Sequence, residues 1–308
     1  MTGPLAAVWT IPEPASTHRV HVDDDTVIVL RRHGNPEGPR LVLSHGNGLA
    51  IDLYYPFWSL LSGEFDLVVH DLRNHGWNEP GARESHTVDA LARDHDRIFA
   101  AVESVYGEKP TVGVFHSISA LAGLHTPSKG GNYAALALFA PPLCNVGPAH
   151  RAFEARATRT AALLRRRAAW FRSREELADL HTYLPYFQRA VPGVLELVAR
   201  TTLREAETGE GFELRCPAEY EAQIWDHAPR YGVSVDFDAL RCPVRIVTSD
   251  PAGPDPPAFD YSAAGVDHEF VPETTHFLQV ERPEQCAAAL RRFLVQLGIV
   301  EEQSRSEE

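Results

Sequence analysis

Short apolar runs, each followed by a segment with helical spacing, make up much of the first half of the chain. They cover residues 40–44, 65–70, 111–115 and 133–140. A strand that is apolar on both sides is buried on both faces. Strands of this kind that alternate with helices form parallel sheets with helices on either face. The sequence therefore predicts an α/β protein with a mostly parallel central sheet.

The same patterns predict the other elements of this layer. An antiparallel hairpin comes first, two helices follow between the apolar runs, and two strands and a helix lie near the end of the chain. The predicted ranges are 18–22 and 26–32 for the hairpin, 55–61 and 87–105 for the helices, 243–248 and 268–271 for the late strands, and 283–297 for the last helix.

The segment from about Pro148 to Arg230 has a different character, with helical patterns and no clear strand. Its beginning is rich in arginine, which is typical of a solvated helix face; attraction of an anionic substrate is the alternative. The sequence predicts a core formed by residues 1–146 and 236–300, a helical cap over 147–235, and a disordered tail over 301–308. Several aromatic side chains of the cap either line an apolar pocket or pack its own core: Trp170, Phe171, Tyr183, Tyr186, Phe187 and Trp225.

Composition and charge exclude several classes of protein. The 308 residues carry a formal net charge of −13, which disfavours a nucleic-acid partner because basic patches supply most of that affinity. No apolar run approaches the roughly 20 residues that cross a bilayer. No basic residue precedes the short apolar stretch within Met1–Ser16, so we expect no secretory signal and a cytoplasmic location. The four cysteines are scattered and are expected to be free thiols, with a disulfide or a metal role as the alternative, and the oligomeric state stays open.

A serine lies at the junction between the apolar run 111–115 and a helix that begins with small residues. The junction reads His116-Ser117-Ile118-Ser119. A serine in a sharp turn between a buried strand and a helix is the nucleophile-elbow arrangement, and the free N–H groups of the new helix stabilise an anion there. Phe115 and Ser119 replace the usual glycines two residues on either side. Ser117 is the predicted nucleophile; a structural helix cap and Ser119 as nucleophile are the alternatives.

Five motifs in order resemble those of the α/β-hydrolase superfamily, in particular serine hydrolases with a helical cap. The resemblance covers about residues 40–139 and 239–297. The motifs are His45-Gly46-Asn47-Gly48 after the third strand, Asp71-Leu72-Arg73-Asn74-His75-Gly76 after the fourth, Ser117 after the fifth, Asp250 after the penultimate strand, and His276-Phe277 before the last helix.

The resemblance implies a catalytic triad in the chain order serine, acid, histidine. Ser117 is then the nucleophile, His276 the general base and Asp250 the acid that orients the histidine. The loop after Asp250 departs from the family pattern, and Asp255 is an alternative acid if that loop folds back.

The resemblance also implies an oxyanion hole formed by the backbone N–H groups of Asn47 and Ile118. Supporting roles are expected for His45, which fixes the loop after the third strand, for Asp71, which is structural in this family, and for His116 beside the nucleophile.

Together these features predict a hydrolase that needs no cofactor and cleaves a carboxylic ester through an acyl-enzyme. Thioester, lactone and amide substrates stay open. The substrate is expected to be a small molecule with an apolar acyl or aromatic part. The run His70-Asp71-x-x-x-His75 matches no metal motif of hydrolases, so no metal is expected.

Acyl transfer or another cofactor-free reaction on the same fold is one alternative to ester hydrolysis. A ligand-binding protein with a degenerate site is the other.

Overall fold

A mostly parallel sheet of eight strands forms the centre of the protein in a computed structural model that describes residues 9–302. Residues 1–8 and 303–308 lie outside the described residues, and with them lies most of the predicted tail. The strands are β1 (Ser16–His21), β2 (Val27–Gly34), β3 (Arg40–Ser44), β4 (Asp66–His70), β5 (Thr111–His116), β6 (Ala135–Phe139), β7 (Trp170–Phe171), β8 (Leu203–Glu205), β9 (Phe212–Leu214), β10 (Val244–Ser249) and β11 (His268–Val271).

The strand order is β1-β2-β4-β3-β5-β6-β10-β11. β2 pairs antiparallel with both β1 and β4, and the pairs from β4 to β11 are parallel. β3, β4, β5 and β6 are buried along their whole length, as their continuous apolar runs predict. The predicted α/β class is therefore confirmed, and the carboxyl ends of β3, β4 and β5 meet at one edge of the sheet.

Helices cover both faces of the sheet. They are α1 (Tyr55–Trp58), α2 (Val88–Tyr106), α3 (Ile118–Leu124), α4 (Pro148–Leu164), α5 (Arg174–Thr182), α6 (Val194–Thr202), α7 (Ala218–Gly232), α8 (Leu278–Glu281) and α9 (Pro283–Gln296). One apolar core lies under α2 and α3, and a second lies under α1 and α9. The Thr87 side chain caps α2 by accepting a hydrogen bond from the N–H of Ala90. No helix within residues 9–302 is long and apolar enough to cross a membrane.

Residues 148–232, which we call the insertion, lie between β6 and β10 and carry α4 to α7. The expectation of no strand in this segment is wrong, because β7, β9 and β8 form a small antiparallel sheet there. Strands of two or three residues are too short to show an alternation of polar and apolar side chains. α4 has the predicted solvated face, since only Phe153, Ala157 and Ala161 of this helix are buried.

Phe115, which replaces a glycine of the usual elbow pattern, packs its ring away from the turn. The ring is fully buried and lies 4.1 Å from the ring of His95, centroid to centroid. Two other glycines make room for it. A Cβ atom at Gly113 would lie 2.6 Å from this ring, and one at Gly123 would lie 3.1 Å from it.

Replacing Gly113 with alanine should therefore destabilise the fold, because the added methyl group overlaps both Phe115 and Leu136. Overpacking of this kind costs about 1–3 kcal/mol, which urea unfolding measures directly. Gly63→Ala is the matched control, since nothing lies within 4 Å of a Cβ atom there. Equal stability of the two variants would contradict this account of the packing.

Candidate active site

Ser117 occupies a strained turn between β5 and α3. Its backbone angles are φ 54° and ψ −119°, in a region that L-residues rarely adopt and that costs of order 1–3 kcal/mol. The N–H of Ser117 donates to the carbonyl oxygen of Phe139 at 2.8 Å, which ties the turn to the neighbouring strand. The turn directs the hydroxyl group towards the loop that follows β11.

His276 lies in that loop and meets the serine. Its Nε2 atom is 2.9 Å from the Oγ atom of Ser117. Burial lowers the pKa of His276; the negative charge of Asp255 opposes this shift, and the positive charge of Arg156 adds to it. The imidazole is therefore neutral near pH 7, with a ring nitrogen within reach of the serine proton.

The two candidate acids differ in what their carboxylates contact. The Asp250 carboxylate accepts hydrogen bonds from the N–H groups of Ala252, at 2.8 Å, and Glu273, at 3.1 Å. These backbone N–H groups lower the pKa of Asp250. The Asp255 carboxylate lies 3.9 Å from the guanidinium of Arg156, and it is the carboxylate whose charge acts on His276.

Within residues 9–302, neither of these carboxylates forms a hydrogen bond with the His276 ring. The Asp250 carboxylate instead accepts from one N–H group of its own loop and one of the loop after β11, so both of its oxygens bind backbone rather than the imidazole. The Ser249 hydroxyl donates to the backbone carbonyl oxygen of Asp255 at 2.9 Å, which folds this part of the loop back on the end of β10.

The loop after β3 lies directly against the serine turn. A Cβ atom at Gly46 would be 3.0 Å from His116 Nδ1 and 3.2 Å from the Cβ atom of Ser117, so a larger residue there would crowd both side chains. The backbone N–H groups of Asn47 and Ile118 donate to no acceptor in the described part of the chain. Neither of the two groups predicted to form an oxyanion hole is paired in the described residues; Ile118 directly follows Ser117, and Asn47 directly follows Gly46, which lies against the serine turn.

His45 and Asp71 hold this loop in place. The Nδ1 atom of His45 is 2.7 Å from the carbonyl oxygen of Gly46, and its Nε2 atom accepts from the N–H of Leu72 at 3.0 Å. Asp71 accepts from the N–H of Ile51 at 2.7 Å, which joins the loops after β3 and β4.

Hydrogen-bond donors and a neighbouring positive charge stabilise the negative charge of Asp71. Its carboxylate accepts from the N–H of Trp77 at 3.0 Å and lies 3.5 Å from the guanidinium of Arg31. Burial alone would raise the pKa of this carboxyl, but the neighbouring His45 ring, Arg31 and the Trp77 N–H hold it well below its usual range. Asp71 is thus an ionised, buried support and lies outside the contact between Ser117 and His276.

His116 and Tyr54 connect two loops of the site. One is the loop after β3 that contains Gly46 and Asn47, which we call the oxyanion loop, and the other is the loop after β11 that contains His276. The Nε2 atom of His116 is 2.9 Å from the backbone carbonyl oxygen of His276, and its Nδ1 atom is 2.7 Å from the Tyr54 hydroxyl. That hydroxyl accepts from the N–H of Gly46 at 3.3 Å. One assignment satisfies every atom: His116 Nε2–H donates to His276, and the tyrosine donates to Nδ1. The sequence does not mark Tyr54 as a site residue, because nothing in a short helical pattern distinguishes one aromatic residue from another.

Ser119, the alternative nucleophile, faces the other side of α3. Its hydroxyl lies 3.4 Å from the Nε2 atom of His95, within the core that surrounds Phe115. It is fully buried. The structure therefore places Ser119 away from His276, and Ser117 is the serine of the site.

The aromatic residues of the insertion differ in their surroundings: some pack beside His276, one packs in the core of the insertion itself, and one is exposed. Phe187 packs on Phe277, beside the catalytic histidine candidate, with ring centroids 5.0 Å apart, and Tyr186 lies 5.9 Å from the same ring. Phe171 packs in a separate small core of the insertion. Tyr183 is 82% exposed. An apolar wall next to His276 is therefore formed by Phe187, Tyr186 and Phe277.

Comparison with known proteins places this arrangement in a family. A sequence profile described as "Alpha/beta hydrolase family" matches residues 41–289. The chain therefore belongs to the alpha/beta hydrolase family, and it is an enzyme with the hydrolase fold of that family. No curated protein sequence matches it.

Solved structures agree on the fold at low sequence identity. E-2-(acetamidomethylene)succinate hydrolase superposes with a TM-score of 0.68 at 17% identity, covering 91% of this chain and 98% of that one. An esterase from Thermogutta terrifontis gives 0.65 at 20% identity, with coverage of 92% and 99%. The thioesterase domain from the curacin biosynthetic pathway gives 0.66 at 15%, with coverage of 90% and 98%.

Asp71→Asn should destabilise the protein by about 2–3 kcal/mol, because a buried carboxylate that accepts from the N–H groups of Ile51 and Trp77 is lost and Arg31 keeps only Asp52 as its charge partner. Chemical denaturation measures this loss. Asp226→Asn removes an exposed partner of Arg165 and should cost less than about 1 kcal/mol. An Asp71→Asn variant as stable as this control would show that the buried charge is dispensable.

Proposed function

We propose that this protein is a cofactor-free serine hydrolase that cleaves a carboxylic ester. The observation that carries the proposal is the 2.9 Å contact between Ser117 Oγ and His276 Nε2 at a strained strand-to-helix turn. A serine hydroxyl is a poor nucleophile at its normal pKa and needs a base within hydrogen-bonding distance. A purely structural serine would not require the unfavourable backbone angles of this turn.

The proposed reaction has two steps. The Ser117 oxygen attacks the ester carbonyl carbon while its proton passes to His276 Nε2, and the same ring then protonates the leaving alcohol. In the second step, His276 takes a proton from water and the hydroxide oxygen attacks the acyl-enzyme. The proton then passes from His276 to the Ser117 oxygen as the acid is released. The N–H groups of Asn47 and Ile118 stabilise the oxyanion in both steps.

We propose Asp255, the alternative acid, as the group whose negative charge favours the protonated form of His276. Its negative charge raises the pKa of the histidine against the effect of burial. Both oxygens of Asp250 already accept backbone hydrogen bonds that shape the loop. Asp250 then acts as a structural residue that supports the position of Glu273 and the loop leading to His276.

His116 and Tyr54 act as positioning residues in this proposal. They form a continuous hydrogen-bonded connection from the Gly46 N–H to the backbone of His276. Both side chains are buried, so the connection is not open to exchange with solvent. The oxyanion loop and the base are thereby held in a fixed relation to each other, which acyl transfer to serine requires.

The substrate class follows from the surroundings of His276. The wall formed by Phe187, Tyr186 and Phe277 favours an ester with an apolar acyl or aromatic part. The insertion supplies two of these three rings, and it is proposed to act as a cap that sets substrate choice and excludes water. Structures of similar fold include an esterase and a thioesterase domain, so both bond types are candidates.

Ser117→Ala should abolish hydrolysis of short p-nitrophenyl esters, with a loss of kcat of about 10⁴-fold or more, because among residues 9–302 no other hydroxyl is hydrogen-bonded to the His276 ring. Release of p-nitrophenol measures this, and circular dichroism verifies the fold. Ser119→Ala, a change two residues away on the other face of α3, is the matched control and should keep most of the activity. Wild-type turnover by Ser117→Ala would disprove the mechanism. Transfer of the acyl group to an added alcohol in preference to water would instead identify an acyltransferase.

Asp255→Asn should lower kcat by at least about 100-fold, because the imidazolium formed during attack loses its neighbouring charge. The acidic limb of the kcat/KM profile should also move to lower pH, since removing a carboxylate makes His276 harder to protonate. Asp250→Asn, the matched variant, should change kcat by less than about threefold and leave the limb in place. A larger loss and a shifted limb in Asp250→Asn would assign the acid to that residue.

A further inference from the structure

Two histidines and a cysteine meet at the boundary between the core and the insertion. His75 lies in the loop after β4, His86 precedes α2, and Cys216 lies in the insertion, just before α7. All three side chains are buried, and a nitrogen or sulfur atom from each lies within 4.8 Å of the others. The function proposed above uses none of them.

One ring nitrogen in this cluster lacks a partner. His86 Nε2 is buried and forms no hydrogen bond with any residue of the described chain. Its other nitrogen, Nδ1, is 3.0 Å from the side-chain amide of Asn74. The Cys216 thiol donates to the carbonyl oxygen of Pro217 at 3.8 Å, and Glu221 lies close to it. Other buried ring nitrogens of the described chain also lack partners, such as His33 Nε2 and His70 Nε2, but His86 is the one that shares a cluster with a thiol and a second imidazole. This combination points to a ligand.

The donor set selects a class of ligand. Imidazole nitrogen and thiolate sulfur together bind borderline-soft cations, Zn²⁺ above all, with Zn–N about 2.0 Å and Zn–S about 2.3 Å. Ligand atoms around such an ion are roughly 3–4 Å apart, so the cluster needs to contract by about 1 Å. His75 Nδ1 already donates to the carbonyl oxygen of Arg73 at 2.9 Å, which is the outer hydrogen bond that metal-bound histidines commonly make.

We propose that His75, His86 and Cys216 bind one Zn²⁺-type cation, with water in the fourth position, and that this ion fastens the insertion to the core. On binding, the Cys216 thiol loses its proton to solvent. The side-chain amide of Asn74 turns over, so that its oxygen accepts from Nδ1–H of His86 and frees Nε2 for the metal. This change breaks the hydrogen bond that the Gly81 N–H now donates to Asn74 Oδ1 at 2.6 Å, and the Gly81 N–H then turns to solvent. The N–H of Gly48, now 3.0 Å from His75 Nε2, is released to water.

An ion bound at this cluster would link the insertion to the core. Cys216 belongs to the insertion, whereas both histidines belong to the core, so the ion would bridge the two parts. Existing contacts at this boundary include the hydrogen bond from Tyr220 to the carbonyl oxygen of Gly81 at 2.8 Å and the exposed ion pair between Arg83 and Glu219. Bound metal adds its binding free energy to the stability of the folded state.

The test uses the untagged full-length protein after removal of metal with a chelator. Titration with Co²⁺ should reach one equivalent per chain and produce a thiolate-to-cobalt charge-transfer band, which Zn²⁺ then removes. Cys216→Ser should abolish this band, and His86→Gln should weaken Co²⁺ binding at least about 10-fold. Cys242→Ser, which changes a free thiol elsewhere in the chain, is the matched control and should bind as the wild type does.

Zn²⁺ should also raise the melting temperature of the wild type and of Cys242→Ser, with no effect on Cys216→Ser. No saturable binding by the wild type would overturn the proposal, and so would an unchanged charge-transfer band in Cys216→Ser. X-ray absorption of the zinc-loaded wild type decides the matter without any variant. One sulfur and two imidazole ligands support the site, whereas a shell of oxygen and nitrogen alone refutes it.

Discussion

The sharp turn at Ser117 is the constraint on which the rest of the site depends. A residue with φ 54° and ψ −119° is held there only because its surroundings determine its position. The Ser117 N–H is bonded to β6, and the ring of Phe115 fills the space that Gly113 and Gly123 leave open. The energy stored in the turn is therefore offset by the packing of the central sheet against α3.

Buried polar side chains hold the loops around the turn in fixed positions. Asp71 joins the loops after β3 and β4, while His116 and Tyr54 join the oxyanion loop to the loop of His276. Each of these side chains makes hydrogen bonds that match its donors and acceptors, so the network has one favoured arrangement. The site is thus positioned by the core, and the insertion contributes an apolar wall and the boundary with Cys216.

The sequence predicts the core well because its strands are long enough to show a pattern. The wholly apolar runs predict buried parallel strands, and β3 and β11 begin and end where predicted. The small sheet of the insertion escapes prediction because its strands have two or three residues. The choice between Asp250 and Asp255 depends on how one proline-rich loop folds, which no local pattern encodes. The contact of Tyr54 with His116 and the cluster of His75, His86 and Cys216 join residues that lie far apart in the chain, so no local pattern predicts them.

The central claim is that Ser117 is a nucleophile activated by His276. Mass spectrometry after exposure to a fluorophosphonate probe tests it most directly, because the reagent phosphonylates a serine only where a base and an oxyanion hole act on it. The account predicts one adduct per chain, located on Ser117, and none in a folded His276→Ala variant. A protein that stays unlabelled, or one that carries the adduct on Ser119, would contradict it.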